Sequence, residues 1–205
     1  HPTLGSAQAW VWAGGQPRRS DEVVQECGVG LIRVRRAQGK SSRWAFAAPP
    51  LRRTGALDAQ WVQRIAQGLG LHVSDIVHHQ WVDNGPGWCA VMLRSAQEVL
   101  ALRPQWELLN DLKLGVVGPH APGGPAQFEV RAFVPSLGVP EDPVTGSLNA
   151  GLAQWLMAEG LAPSAYVASQ GAALGRAGRI FLSREGNEIW VGGDVTGCVT
   201  GQVNL

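Results

Sequence analysis

The chain has 205 residues, 45% of them hydrophobic and only 16% charged, with a formal net charge of +1. That length can bury a substantial core as one large domain or two small ones, and so small a charge imbalance gives no electrostatic reason to invoke nucleic acid or a membrane surface. The cysteines Cys27, Cys89 and Cys198 are odd in number and lack metal-type spacing, which points to a reducing cytoplasmic setting; no stretch is long and apolar enough to span a bilayer and no signal peptide is visible.

The chain opens on His1-Pro2-Thr3-Leu4-Gly5-Ser6-Ala7-Gln8-Ala9 and runs into Trp10-Val11-Trp12-Ala13. It lacks an initiator Met, so a longer or processed product is expected. Thr3 to Ala13 carries no charge, and a helix without charge all round is buried all round. A central helix wrapped by sheet is therefore expected here, covered either by an upstream segment or by a partner chain. Gly30 to Arg35 and Arg43 to Ala47 read as strands about a polar turn at Gln38-Gly39-Lys40-Ser41. Pro49-Pro50 cannot continue a central strand and marks a boundary.

Beyond it, Asp58 to Ala66 is an amphipathic helix with Trp61, Val62, Ile65 and Leu69 on one face. His72 to Val82 and Trp88 to Leu93 read as a hairpin about Asp83-Asn84-Gly85-Pro86-Gly87. Ser95 to Leu102 and Trp106 to Leu112 are helices flanking Pro104, and Leu114 to Val117 is a strand. Gln127 to Val134 alternates, with Phe128, Val130, Ala132 and Val134 on one face and Glu129, Arg131 and Phe133 on the other. Thr145 to Ala158 is a second helix without charge. Tyr166 to Ser169, Arg179 to Ser183 and Glu188 to Val191 are strands, the last two joined at Glu185-Gly186-Asn187. The expected division is residues 1–50 as one half, 51–194 as the other, and a strand near 195–205 returning to the first.

The opening motif recurs. Asp142-Pro143-Val144-Thr145-Gly146-Ser147-Leu148-Asn149-Ala150 matches His1 to Ala9 in its Pro, Gly, Ser and final Ala, with Asp answering His and Asn answering Gln. A titratable group, then Pro, then Gly-Ser entering a helix suits a helix N-terminus that holds an anion. Two such ends suggest duplicated halves facing one site. Removing a proton beside a carboxylate loads negative charge onto that carboxylate, and amides at Gly5-Ser6 and Gly146-Ser147 would stabilise it. Asp142 and His1 then stand at the rim as proton-transfer or hydrogen-bonding groups. The plainer readings are an N-cap for Asp142 and an ordinary chain terminus for His1. His72, His78 and His79 lack an acidic or cysteine partner at metal spacing, so no metal is expected. Gly171 to Arg176 lacks the Lys-Ser/Thr of a nucleotide loop and reads as a turn.

Glu141-Asp142-Pro143-Val144-Thr145-Gly146-Ser147 resembles the signature of the PhzF-like phenazine-biosynthesis isomerase family. His1-Pro2-Thr3-Leu4 is similar to the family's first-half motif without its leading Gly, and Gln25 to Gly30, Gln170-Gly171 and Leu174-Gly175-Arg176 are similar to further family elements. The resemblance runs over almost the whole chain. It implies an α/β (α+β) diaminopimelate-epimerase-like fold of two pseudo-symmetric halves, each a curled mixed sheet around a central helix. It also implies a cofactor-independent, usually homodimeric enzyme that moves protons on a small carboxylate in a biosynthetic, cytoplasmic setting. Carried onto this chain, the catalytic set is His1, Asp142 and Ser147, and the carboxylate is held by Thr3, Gly5 and Ser6 with Thr145 and Gly146. The family's catalytic glutamate lies upstream of the His motif, and no residue here matches it, so the chain alone is expected to be a poor catalyst. Two rivals stay open: a non-catalytic binder of small carboxylates, and a two-thiol racemase, which needs a cysteine where Asp142 stands.

Overall fold

Runs of β-branched and aromatic residues punctuated by glycine set out most of the strands, and a computed structural model describes residues 1–19, 21–37, 39 and 42–201. The chain forms two units, His1–Ala47 with Gly192–Leu205, and Ala48–Val191. The first unit holds α1 (Pro2–Trp12), β1 (Glu22–Cys27), β2 (Gly30–Arg36) and β3 (Arg43–Ala47). β1 and β2 form a hairpin closed by the Cys27–Gly30 pair, and β2 pairs antiparallel with β3. The core is Ala7, Val23, Val34 and Trp44, with Leu4, Val11, Ile32, Phe46 and Val195 packed against it. Gln8, an amide on an otherwise uncharged helix, is buried because its Oε1 accepts the Trp44 indole N–H at 2.7 Å.

This unit covers α1 in part, and its strands differ from expectation. α1 is covered on one side only: Ala7 and Gln8 are buried, whereas Trp10 is 44% and Trp12 59% exposed. β1 was not expected as a strand; its Glu22-Val23-Val24-Gln25-Glu26 run is too polar for an apolar-run reading, yet Val23 alone enters the core. Residues 195–201 carry no strand. Within the polar turn expected at 38–41, Gln38, Lys40 and Ser41 lie outside the described residues, as do residues 202–205 of the expected final strand.

The second unit carries α2 (Ala59–Leu69), β4 (His78–Trp81), β5 (Trp88–Met92), α3 (Ala96–Ala101), α4 (Trp106–Leu109), β6 (Lys113–Pro119), β7 (Phe128–Phe133), β8 (Glu141–Asp142), α5 (Gly146–Ala158), β9 (Ala165–Gln170), β10 (Gly178–Glu185) and β11 (Glu188–Asp194), the last running out of the unit. Its strands are ordered β11-β10-β9-β7-β6-β5-β4, with β8 added onto β7. β5/β6 and β7/β9 are parallel, while β4/β5, β6/β7, β7/β8 and β9/β10 are antiparallel. α2 ends on left-handed Gly70 and buries Val62, Ile65, Ala66 and Leu69. With Val99, Leu102 and Leu109 these close one hydrophobic cluster over Val91, Leu114, Val116 and Phe133.

The hairpin expected from His72 begins only at His78, because His72 and Asp75 make a reciprocal cap around a short 3-10 turn at Val73–Asp75. β7 is buried on both faces, so its charged face is internal.

α5 is buried along nine of its thirteen residues, from Leu148 to Met157 except Gln154. Two close approaches lock it in place. A Cβ on Gly151 would lie 2.3 Å from the Val82 carbonyl oxygen, and one on Gly115 would lie 2.4 Å from Leu148 Cδ1. Gly151→Ala should therefore destabilise the protein. Alanine gains about 1 kcal/mol of helix propensity, but the clash is with backbone that cannot rotate aside, and overpacking costs about 1–3 kcal/mol. We expect a net loss of about 1 kcal/mol in urea unfolding; an unchanged midpoint would show that the helix can slide away from Val82.

Candidate active site at the α5 N-terminus

The second motif bends from β8 into α5, and Gln170 at the end of β9 holds that bend together. Gln170 is buried and uses all of its amide: Oε1 accepts from the Thr145 backbone N–H at 3.0 Å and from Asn149 Nδ2 at 2.8 Å. Its Nε2 donates to the Asp142 backbone oxygen at 2.9 Å and to Thr145 Oγ1 at 3.0 Å. Asn149 Nδ2 also donates to the Thr145 carbonyl at 2.9 Å. The next residue, Gly171, has φ +93° and sits so close to the motif that a Cβ would lie 2.6 Å from the Pro143 oxygen. A side chain there would push the motif loop away from Gln170.

These bonds fix where one proton goes. An amide nitrogen only donates, so Thr145 Oγ1 accepts from Gln170 and its single proton is left for Asp142 Oδ2, 2.6 Å away. Thr145 is the N-cap residue of α5, yet its side chain makes no capping bond. The residue type that normally satisfies the first helical amides is turned toward a carboxylate. The amides of Gly146, Ser147 and Leu148 therefore have neither a helical acceptor nor the usual side-chain substitute. Gly146 and Ser147 are half-buried, as is Asp142. Asp142 is thus not the cap: it stands three residues before the N-cap, with Oδ2 occupied by Thr145.

Ser147 is held by the β4–β5 hairpin. Trp88 Nε1 donates to Ser147 Oγ at 3.0 Å, and Asn84 Nδ2 donates to the Ser147 carbonyl at 2.8 Å. The turn that carries Asn84 is fixed by Asp83, whose Oδ1 accepts the amides of Gly85 at 2.7 Å and Gly87 at 2.6 Å. The site therefore brings together Asp142, Thr145, Gly146 and Ser147 from the motif with Gln170, Asn149, Trp88 and Asn84.

The first motif is built differently, although its sequence aligns. α1 starts at Pro2, directly after His1, so Gly5 lies in the helix and its amide donates to the His1 carbonyl at 2.9 Å. In α5 the matching Gly146 is the first helical residue. α1 starts three residues earlier in the motif than α5, although both motifs carry a proline at the matching position, and the Gly5 amide is thereby taken up inside the helix. His1 and Ser6 are exposed and Thr3 is half-buried, with the Thr3 carbonyl accepting from Gln25 Nε2 at 2.7 Å.

Other polar clusters have different roles. His79 Nδ1 accepts the Leu57 amide at 3.1 Å and His72 belongs to the 3-10 cap; no group of three or more His, Cys, Asp or Glu among the described residues is placed to hold a metal. Ser169 bonds to the buried Glu129 carboxylate, and His120 Nε2 lies 2.9 Å from Ser169 Oγ and 3.2 Å from Glu129 Oε2. A nucleophilic relay needs serine and carboxylate on opposite ring nitrogens. Here both face the same one, so the cluster is no triad. Burial pushes the Cys89 thiol up to about 12, which denies it the thiolate that a two-thiol racemase requires. No helix among the described residues is long and apolar enough to cross a membrane.

A mixed sheet carrying a buried helix is an α+β fold of the diaminopimelate-epimerase-like class. The family model of phenazine biosynthesis-like proteins (PhzC-PhzF) matches residues 1–199, and the chain belongs to that family. It is 25% identical over 217 residues to antisense-enhancing sequence 1 of Schizosaccharomyces pombe, covering 98% of this chain and 73% of that protein. It is 34% identical over 146 residues to an uncharacterized isomerase of Deinococcus radiodurans, covering 64% of this chain and 47% of that one. The chain thus spans about half the length of that bacterial relative. Among solved structures, a PhzF-family phenazine biosynthesis protein from Bacillus anthracis superposes with a TM-score of 0.73 at 15% identity, over 95% of this chain and 72% of that one. A Pseudomonas aeruginosa protein described as a predicted epimerase gives 0.71 at 22% identity, over 95% and 70%.

Proposed function

We propose that this protein is an isomerase or epimerase that moves a proton on a small carboxylate without a cofactor, with the substrate carboxylate seated on the α5 N-terminus. The observation that carries this reading is the uncapped N-terminus itself: Thr145 turns its hydroxyl to Asp142 and leaves the Gly146 and Ser147 amides to a ligand. Aligned backbone amides and the helix dipole favour an anion there. As a proton leaves the carbon beside the carboxylate, charge grows on the oxygens those amides hold, so the interaction strengthens toward the transition state.

Asp142 is the proton-transfer group of this arrangement. Thr145 occupies Oδ2 and orients the carboxylate, and Oδ1 is the oxygen that meets the substrate. The uncharacterized-isomerase name of the Deinococcus relative supports the same class of chemistry. The test is solvent exchange. In D2O, a panel of α-amino and α,β-unsaturated carboxylic acids should yield at least one that takes up deuterium at the carbon adjoining the carboxylate or along its conjugated chain. An acid that binds and never exchanges would make the protein a carboxylate binder.

A further inference from the structure

We propose that Trp88 is a positioning residue that orients the Ser147 hydroxyl to donate to the bound carboxylate. This inference rests on the reading that the α5 N-terminus holds such a group. Indole nitrogen carries a proton and no lone pair for acceptance, so the 3.0 Å contact from Trp88 Nε1 makes Ser147 Oγ the acceptor. The one proton of Ser147 must then point elsewhere, and no acceptor among the described residues bonds to it.

The geometry is stiff. Trp88 is only 3% exposed on a strand buried throughout, and the Val82 amide donates to its carbonyl at 3.0 Å. Asn84 clamps the Ser147 carbonyl from the same hairpin. The Gly151–Val82 approach fixes α5 against the hairpin one turn further on. The hydroxyl thus has one lone pair occupied from behind and its hydrogen free in front. Such a group can donate to a carboxylate oxygen. Trp88 thereby acts on the ligand through Ser147 without touching it.

The test uses benzoate as the probe, titrated into 15N-labelled protein. Benzoate should shift the Gly146 and Ser147 amide resonances of the wild type. Ser147→Ala and Trp88→Phe should each weaken it by about tenfold, the usual worth of a hydrogen bond to a charged group. Because Trp88 acts through Ser147, the double variant should bind no more weakly than Ser147→Ala alone. In ligand-free protein, Ser147→Ala should also move the Trp88 indole N–H resonance, a readout that remains if Trp88→Phe fails to fold. Multiplying losses in the double variant, wild-type affinity in Trp88→Phe, or an indole resonance unmoved by Ser147→Ala would overturn the role of Trp88 alone. Absence of any benzoate shift at the wild-type Gly146 and Ser147 amides would overturn the carboxylate reading, and this role with it.

Discussion

Asp142→Asn should reduce turnover by roughly two to four orders of magnitude, the range a positioned acid or base supplies, while leaving the fold intact. The Thr145 proton is directed at Asp142 Oδ2 by the Gln170 amide on its other side, and an asparagine amide oxygen accepts it equally well. The Asp142 backbone oxygen keeps its bond from Gln170 whatever the side chain. Stability should therefore change by less than about 0.5 kcal/mol, as for substitutions that break no buried network. The comparison is exchange rate against thermal midpoint for both proteins. A variant that exchanges at the wild-type rate, or loses stability in step with activity, would make Asp142 a structural residue.

The second large effect lies one residue upstream. Glu141 accepts from Arg131 Nε at 3.0 Å and Nη2 at 2.7 Å, and both side chains are almost fully buried. Arg131 Nη1 also donates to the carbonyls of Leu102 at 3.0 Å and Val99 at 3.3 Å. This pair ties β8 to β7 in the register that places Asp142 opposite Ala132. Removing one partner strands a desolvated charge, so Glu141→Ala should cost about 3–5 kcal/mol and lower Tm by about 10 °C in a chain of this size. Replacing both partners by apolar residues of similar volume, Arg131→Met with Glu141→Leu, should recover much of that loss. If the double variant is as unstable as Glu141→Ala, the pair matters through its geometry rather than through an uncompensated charge.

That ion pair also marks the boundary of what could be read from the chain. The alternation of Phe128 to Phe133 identified a strand and separated Glu129 and Arg131 onto one face, but a period of two cannot say whether that face meets water or a second layer. Two charges of opposite sign survive inside because each found a partner on another segment, Glu141 for Arg131 and the Ser169–His120 pair for Glu129. The Asp142 to Ser147 run was legible because its local order states the chemistry. Trp88 was not, since it reaches the motif only through sheet pairing, and Gln170 was marked by the family resemblance but not by its bonds to the motif. One signal was available: Gln8 and Asn149 are amides at matching positions in two helices that otherwise carry no charge, and both proved buried and hydrogen-bonded. The repeat itself misled at Gly5, where the helix begins three residues earlier in the motif than in α5 and the matching glycines acquire different places.

The central requirement of the proposed chemistry is a carboxylate gripped at α5 while a proton moves beside it. The most direct measurement is deuterium incorporation from D2O into matched pairs of small carboxylic acids and their primary amides, followed by mass spectrometry with the wild-type chain and Asp142→Asn side by side. We expect incorporation into one or more acids, none into the corresponding amides, and loss of that incorporation in the variant. Equal incorporation into acid and amide, or exchange that persists unchanged in Asp142→Asn, would contradict it.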